Sequence, residues 1–363
     1  MSGRPEEGHD PGFVQLLTPE GERVEHPDYA LALESGDHRA LYRDLVLVRR
    51  VDAEATALQR QGELGLWASL LGQEAAQIGA GRALAASDFV FPTYREHGVA
   101  WCRGVDPLTL LGLFRGTTNG GWDPQEHRFG PYTIVIGDQC PQAVGYAMGQ
   151  LLDGTDEATL VFFGDGASSQ GDVNEAFIWA SVFNAPVVFF CQNNQWAISE
   201  PLERQTRIPL YQRARGFGFP GVRVDGNDVL ATLAVTRAAL QRAREGGGPS
   251  LIEAYTYRMG AHTTSDDPTR YRADAEVQAW KLRDPIERVR SYLHKQQLVD
   301  ANFLTAVDAE AETLAVRLRA GVRALPDPDP TSMFRHAYAE PHPLVDEERR
   351  HYESYLAGFA TEG

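Results

Sequence analysis

Apolar and polar positions change period several times along this chain. Over 37–61 apolar residues recur among charges at helical spacing, which predicts a long helix, and 72–86 predicts a second. A short strand is expected at 88–91, then a glycine- and aromatic-containing loop over 116–132 and an apolar strand at 133–136. The small-residue-rich stretch 141–152 reads as a tightly packed helix. The clearest pattern follows: VFFGDGASSQGDVNEAFIWASVFNAPVVFFCQNN. An apolar strand (158–163) runs into Gly164-Asp165-Gly166, a helix follows, and a second apolar strand (186–191) runs into Asn193-Asn194. That order is one parallel strand–helix–strand unit, whose crossover is expected to be right-handed. Beyond it come a strand (222–224), a helix (230–245), the turn sequence GGGPS and a strand (251–256). The stretch 275–325 carries the repeated apolar spacing of packed amphipathic helices.

These elements predict an α/β fold, a mostly parallel sheet flanked by helices, with a helical C-terminal region. Residues 1–36 are rich in Pro, Gly and charge and read as an extended or disordered arm; 37–325 form the main domain, and 326–363 a segment helical in part. Charge narrows the partners. With 34 Lys and Arg against 50 Asp and Glu, the net charge is −16, which argues against a nucleic-acid or anionic-membrane surface. No apolar run approaches the roughly 20 residues needed to span a bilayer. MSGRPEEGHDPG has no signal-peptide core, so a cytoplasmic location is expected. Cys102, Cys140 and Cys191 lack metal-type spacing and read as reduced, structural thiols.

The strand–helix–strand unit also carries chemistry. It sets Asp165 and Asn194 at the carboxyl ends of two parallel strands, in the crevice where open α/β sheets bind ligands. A carboxylate and an amide oxygen are hard ligands suited to Mg²⁺, which completes its octahedron with water and phosphate oxygens. Gly164 and Gly166 allow close backbone approach to a diphosphate, and the helix N-terminus beyond offers free N–H groups. Rival phosphate motifs fit less well. There is no P-loop, and Ser169 stands where a dinucleotide fingerprint needs Gly or Ala, which disfavours a nicotinamide-dependent oxidoreductase.

The GDG…NN spacing resembles the thiamine-diphosphate motif. Together with RQGELGLWASLLGQEAAQ, FPTYREHG, QNNQWAIS and YRMGAHTTSDDPTRYR, it makes the chain from about residue 41 to 338 similar to the alpha subunit of the decarboxylating first component of 2-oxo acid dehydrogenase complexes. The resemblance implies thiamine diphosphate and Mg²⁺ as cofactors. It assigns Asp165, Asn194 and the carbonyl of Trp196 to the metal. Tyr94, Arg95 and the backbone of Gly164, Gly166 and Ala167 fall to the diphosphate, and Ile136 to the aminopyrimidine ring. His262 is implied near the reacting carbon; a histidine of ordinary pKa can donate to a diphosphate oxygen or a developing alkoxide. Asp172 and Glu175, three apart on a helix, would lie in an acidic channel linking two cofactor sites. Arg258 and Arg272 could pair with phosphate or with Asp266 and Asp267.

The implied reaction is oxidative decarboxylation of a small 2-oxo acid, with acyl transfer to the lipoyl domain of an acyltransferase. The chain shows only the diphosphate half of such a site. A beta subunit would supply the ring-activating acid in an alpha2-beta2 heterotetramer, with the apolar faces of the helical C-terminal third suited to the contact. IGDQ (136–139) resembles pyruvate-type subunits, whereas QNNQWAIS and VDGNDVLA are shared with branched-chain subunits acting on 3-methyl-2-oxobutanoate; acetoin dehydrogenase stands third. A non-catalytic interaction subunit is the alternative of another class.

Overall fold

The computed structural model describes residues 13–118 and 120–359. Six strands form one all-parallel sheet in the order β1 (Phe13–Val14), β7 (Gly221–Asp225), β8 (Ser250–Tyr255), β4 (Val187–Asn193), β3 (Thr159–Gly164) and β2 (Phe89–Phe91). Successive strand residues face opposite sides, and here both sides are covered. Leu160 and Phe162 of β3, with Val188 and Phe190 of β4, enter one core with α1 (Ser35–Arg60), α2 (Glu74–Ala83), α9 (Val229–Arg242), α11 (Pro285–Lys295) and α12 (Ala301–Ala324). Val161, Phe163, Val187 and Phe189 enter the other with α6 (Gln139–Asp153), α7 (Gly171–Val182) and α8 (Arg213–Phe217). The continuous apolar runs around GDG and NN are therefore strands buried on both faces.

Smaller elements complete the frame. Helices α3 (His97–Cys102), α4 (Pro107–Arg115) and α5 (Pro124–His127) follow β2. A two-stranded hairpin, β5 (Trp196–Ala197) with β6 (Glu200–Pro201), follows β4. Helix α10 (Asp274–Lys281) docks through Trp280, whose ring stacks on Tyr257. In α13 (Pro343–Phe359) no side chain is buried.

Two sequence expectations are corrected. The run 133–136 is not a strand: Ile134 and Val135 are 67% and 70% exposed. The free edge of β2 is taken instead by 128–130, where Val90 N–H donates to the Arg128 carbonyl and Gly130 N–H to that of Val90. With that edge occupied, 133–136 has no strand to pair with. Of the arm, the described part is packed onto the sheet rather than disordered. From Phe13 it forms the sheet's edge strand, and Leu16 and Leu17 are fully buried, their N–H groups donating to Asp228 at 2.7 and 2.6 Å. Residues 1–12 lie outside the described residues. The apolar stripe of α12 (Val307, Ala311, Ala315, Leu318, Val322) is consumed inside the chain, largely against α1.

Candidate active site

A cavity of about 380 Å³ opens at the carboxyl ends of β3 and β4. The register that pairs Gly164 with Gln192 brings the two motif turns side by side. Asp165 starts a 3-10 turn (Asp165–Ser169) and is buried; its carboxylate accepts a hydrogen bond from Gln205 Nε2 at 3.0 Å. Burial pushes its pKa up to about 6 against that bond and backbone donors. Asn194, also buried, is fixed at both ends of its amide. Its Oδ1 accepts the Trp196 N–H at 3.2 Å and its Nδ2 donates to Gln73 Oε1 at 3.1 Å. Asp165, Asn194 and Trp196 all line the cavity. The Trp196 carbonyl accepts Nη1 of Arg258 at 3.0 Å, leaving it one further lone pair.

Another part of the lining is cationic. Arg95 is 6% exposed, and its guanidinium donates to the carbonyls of Ser69 and, at 2.8 Å, His262. Its charge also lies over the Tyr94 ring, 5.6 Å from the centroid, and Tyr94 meets His262 edge-on. The Glu96 carboxylate does not pair with Arg95. It accepts from Thr93 N–H and Oγ1 and from Gln192, pinning the Thr93–Glu96 turn that presents Tyr94 and Arg95.

Arg258, fully buried, donates to Trp196 O, to Ile198 O at 2.7 Å and to Tyr271 OH at 2.9 Å. No carboxylate bonds it, and burial together with Arg95 lowers its pKa to about 10. The expected pairing of Arg258 and Arg272 with Asp266 and Asp267 is not found. Arg272 donates to the carbonyls of Arg258, Met259 and Gly260, while Asp266 accepts from His262 N–H and Tyr271 OH. A buried loop carbonyl is satisfied only by a donor that reaches it, and both arginines are spent on such carbonyls.

His262 lines the same cavity, and its Nδ1 lies 3.4 Å from an Arg95 nitrogen and 3.5 Å from one of Arg258. Two donors at Nδ1 make it an acceptor, which leaves Nε2 the protonated nitrogen. Burial, then the two guanidinium charges, lower its pKa to about 4. It is therefore a neutral donor at pH 7, not the near-neutral titrating group the sequence suggested.

The glycines of the motif differ. A Cβ at Gly166 would stand 2.7 Å from that of Ala197, whereas one at Gly164 meets no protein atom within 4 Å. The first is required by close packing against the β5–β6 hairpin; the second borders open cavity. Ala167 is nearly buried beside it, and Ile136, 42% exposed, stands at the cavity mouth before Gly137 (φ 93°). Asp172 and Glu175 do not line the cavity. They lie on the exposed side of α7, where Val173, Ala176 and Phe177 take the buried side, and Glu175 accepts from Trp179 Nε1.

The donor set fits magnesium and a diphosphate. Among the described residues no group of three or more His, Cys, Asp or Glu side chains could hold a metal. One carboxylate with amide and carbonyl oxygens suits an ion that keeps most of its shell for water and phosphate. Two guanidiniums without a carboxylate partner call for an anion. Gln73 Nε2 and Gln139 Oε1, both on cavity-lining residues, are buried without a hydrogen-bond partner. Sequence reading gave no site role to Gln73, Gln139 or Gln205; Gln73 and Gln139 stood only inside quoted blocks, LGQEA and IGDQ.

The chain is similar to known proteins over most of its length. The family described as "Dehydrogenase E1 component" matches residues 42–317. The 3-methyl-2-oxobutanoate dehydrogenase subunit alpha of Mycobacterium tuberculosis is 46% identical over 346 residues, covering 95% of this chain and 94% of its own. The pyruvate dehydrogenase E1 component subunit alpha of Acholeplasma laidlawii is 37% identical over 327 residues, covering 88% and 93%. That of Bacillus cereus is 39% identical over 303 residues, covering 82% and 81%.

Proposed function

Because this chain belongs to the dehydrogenase E1 component family, we propose that it is the alpha subunit of a thiamine-diphosphate-dependent 2-oxo acid dehydrogenase and holds the cofactor's diphosphate and Mg²⁺. The observation that carries this reading is the convergence, on one cavity, of Asp165 and Asn194 with Arg95 and His262. In this reading the Asp165 carboxylate, Asn194 Oδ1 and the Trp196 carbonyl hold the metal. Arg95, Tyr94 and the N–H groups of Gly166 and Ala167 hold the diphosphate. Thiamine diphosphate supplies the electron sink that lets carbon dioxide leave a 2-oxo acid; the protein supplies binding, orientation and charge. His262 holds a proton at Nε2 while Arg95 and Arg258 keep Nδ1 unprotonated, so it donates to oxygen whose charge grows during reaction. The substrate is pyruvate or 3-methyl-2-oxobutanoate. Relatives named for each are represented, at 37% and 46% identity, and the geometry does not divide them.

The site is completed by a beta subunit. An exposed apolar face on α7 (Ile178, Trp179, Val182, Phe183), with Ile134 and Val135 of the cavity-mouth loop, supports a partner here rather than on α12. Gly137 seats that loop against Gln170 and Val173 at the start of α7, so the cavity-mouth loop adjoins the helix that carries this face. The acyl group would pass to a lipoyl domain of an acyltransferase. Consumption of each 2-oxo acid with an artificial electron acceptor tests the proposal. The chain alone should be inactive and the co-expressed alpha–beta pair active; robust turnover by the chain alone would refute the shared site.

A further inference from the structure

Both side chains proposed to ligate the metal are held by carboxamides from distant parts of the chain. Asp165 takes its one side-chain hydrogen bond from Gln205 Nε2, at 3.0 Å, out of the loop after the β5–β6 hairpin. Asn194 meets Gln73, the residue preceding α2, which is itself fully buried. The polarity of this second contact is fixed by the backbone. Since Trp196 N–H can only donate, Asn194 must present Oδ1 to it and Nδ2 to Gln73. Gln73 in turn must accept through Oε1, which leaves its Nε2 buried, unpartnered and on the cavity wall. A reversed Asn194 amide would set N–H groups where a cation needs oxygen.

We propose that Gln73 and Gln205 are positioning residues for a divalent cation: Gln73 locks Asn194 Oδ1, and Gln205 locks the Asp165 carboxylate, in the orientations that ligate it. The inference rests on the reading of the cavity as a magnesium–diphosphate site. Neither glutamine is itself a ligand. Each acts through the residue it touches, as partners behind metal ligands do, where their loss typically costs about 10- to 100-fold in metal affinity. The unpartnered Gln73 N–H adds a donor for an oxygen of the bound group or its water.

The test uses Mn²⁺ as a spectroscopic probe on the co-expressed alpha–beta pair with saturating thiamine diphosphate, free Mn²⁺ being read by paramagnetic resonance. Gln205→Leu and Gln73→Leu should each weaken Mn²⁺ binding about 10- to 100-fold. Gln73→Glu should recover most of that loss, because its carboxylate still accepts the Asn194 amide; a merely structural role would show no such rescue. Gln205, partly exposed, can be replaced without opening the core, so its variant stays informative should Gln73→Leu fail to fold. Asp165→Ala is the control. If it abolishes binding while both leucine variants bind Mn²⁺ within about twofold of the parent, the positioning roles are refuted and the site stands. If Asp165→Ala binds normally, both fall.

Discussion

Asp165→Asn should separate stability from binding. The carboxylate lies at 1% exposure with a neutral amide as its side-chain partner, and burial raises its pKa from 3.8 to about 6. A folded-state pKa above the unfolded value means that ionisation opposes folding. The penalty is absent below the unfolded pKa, grows between pH 3.8 and about 6, and is complete at neutrality. A rise of about two units corresponds to about 3 kcal/mol. Asparagine keeps an oxygen for Gln205 and removes the charge. Without metal and cofactor, the variant should therefore be more stable than the parent at pH 7, by up to about 3 kcal/mol, with the gain vanishing near pH 4. With Mg²⁺ and thiamine diphosphate the order should reverse, since only the parent gains binding free energy in the folded state. Denaturant melts at pH 7 and pH 4, with and without the ligands, read all four quantities. A variant less stable than the parent in ligand-free buffer at pH 7, or one still stabilised by Mg²⁺, would show respectively that the buried Asp165 charge does not oppose folding or does not hold the metal. The principle is that a site built for a cation stores electrostatic cost until the cation arrives.

Two further outcomes follow from histidines of opposite duty. His97 is buried, stacked on Trp67 at 4.1 Å and bonded to Ala68 O and Tyr132 OH; burial lowers its pKa from 6.5 to about 3. Because the unfolded chain takes the proton first, stability falls as pH drops below about 6.5, by about 2 kcal/mol between pH 7 and 5 from this group alone. His97→Gln should lose that part of the pH slope in denaturant melts, and an unchanged slope would count against it. His262→Ala should slow turnover of the alpha–beta pair by about 10²- to 10³-fold, as loss of one charge-stabilising donor does. Calorimetry should meanwhile show thiamine diphosphate affinity little changed, because Arg95 and the backbone donors remain. Near-normal turnover would make His262 a loop residue only.

What the sequence could show was whatever short-range pattern encodes. The apolar runs ending in Gly164-Asp165-Gly166 and Asn193-Asn194 announced two buried parallel strands, and strand order alone set Asp165 beside Asn194. The helices over 37–61 and 230–245 were legible because their apolar spacing repeats over several turns; they are observed at Ser35–Arg60 and Val229–Arg242. An apolar run without such repetition is ambiguous. TIVI at 133–136 has strand composition, yet 128–130 already occupies the edge of β2, so the run became a cavity rim. The arm from Phe13 was illegible for the converse reason. Its composition is that of a loop, and only the open edge of β7 and the Asp228 carboxylate, over 200 residues away, give it a place. Long-range hydrogen bonds decided the rest. Arg258 was expected to meet phosphate or acids, and within the chain it holds three oxygens of two loops; Gln73 and Gln205 acquire a role only by facing Asn194 and Asp165. Local periodicity fixes which residues form an element and which side they bury. The direction of a buried polar group is set by the one partner within about 3 Å, and the chain's sequence spacing does not encode which residue that will be.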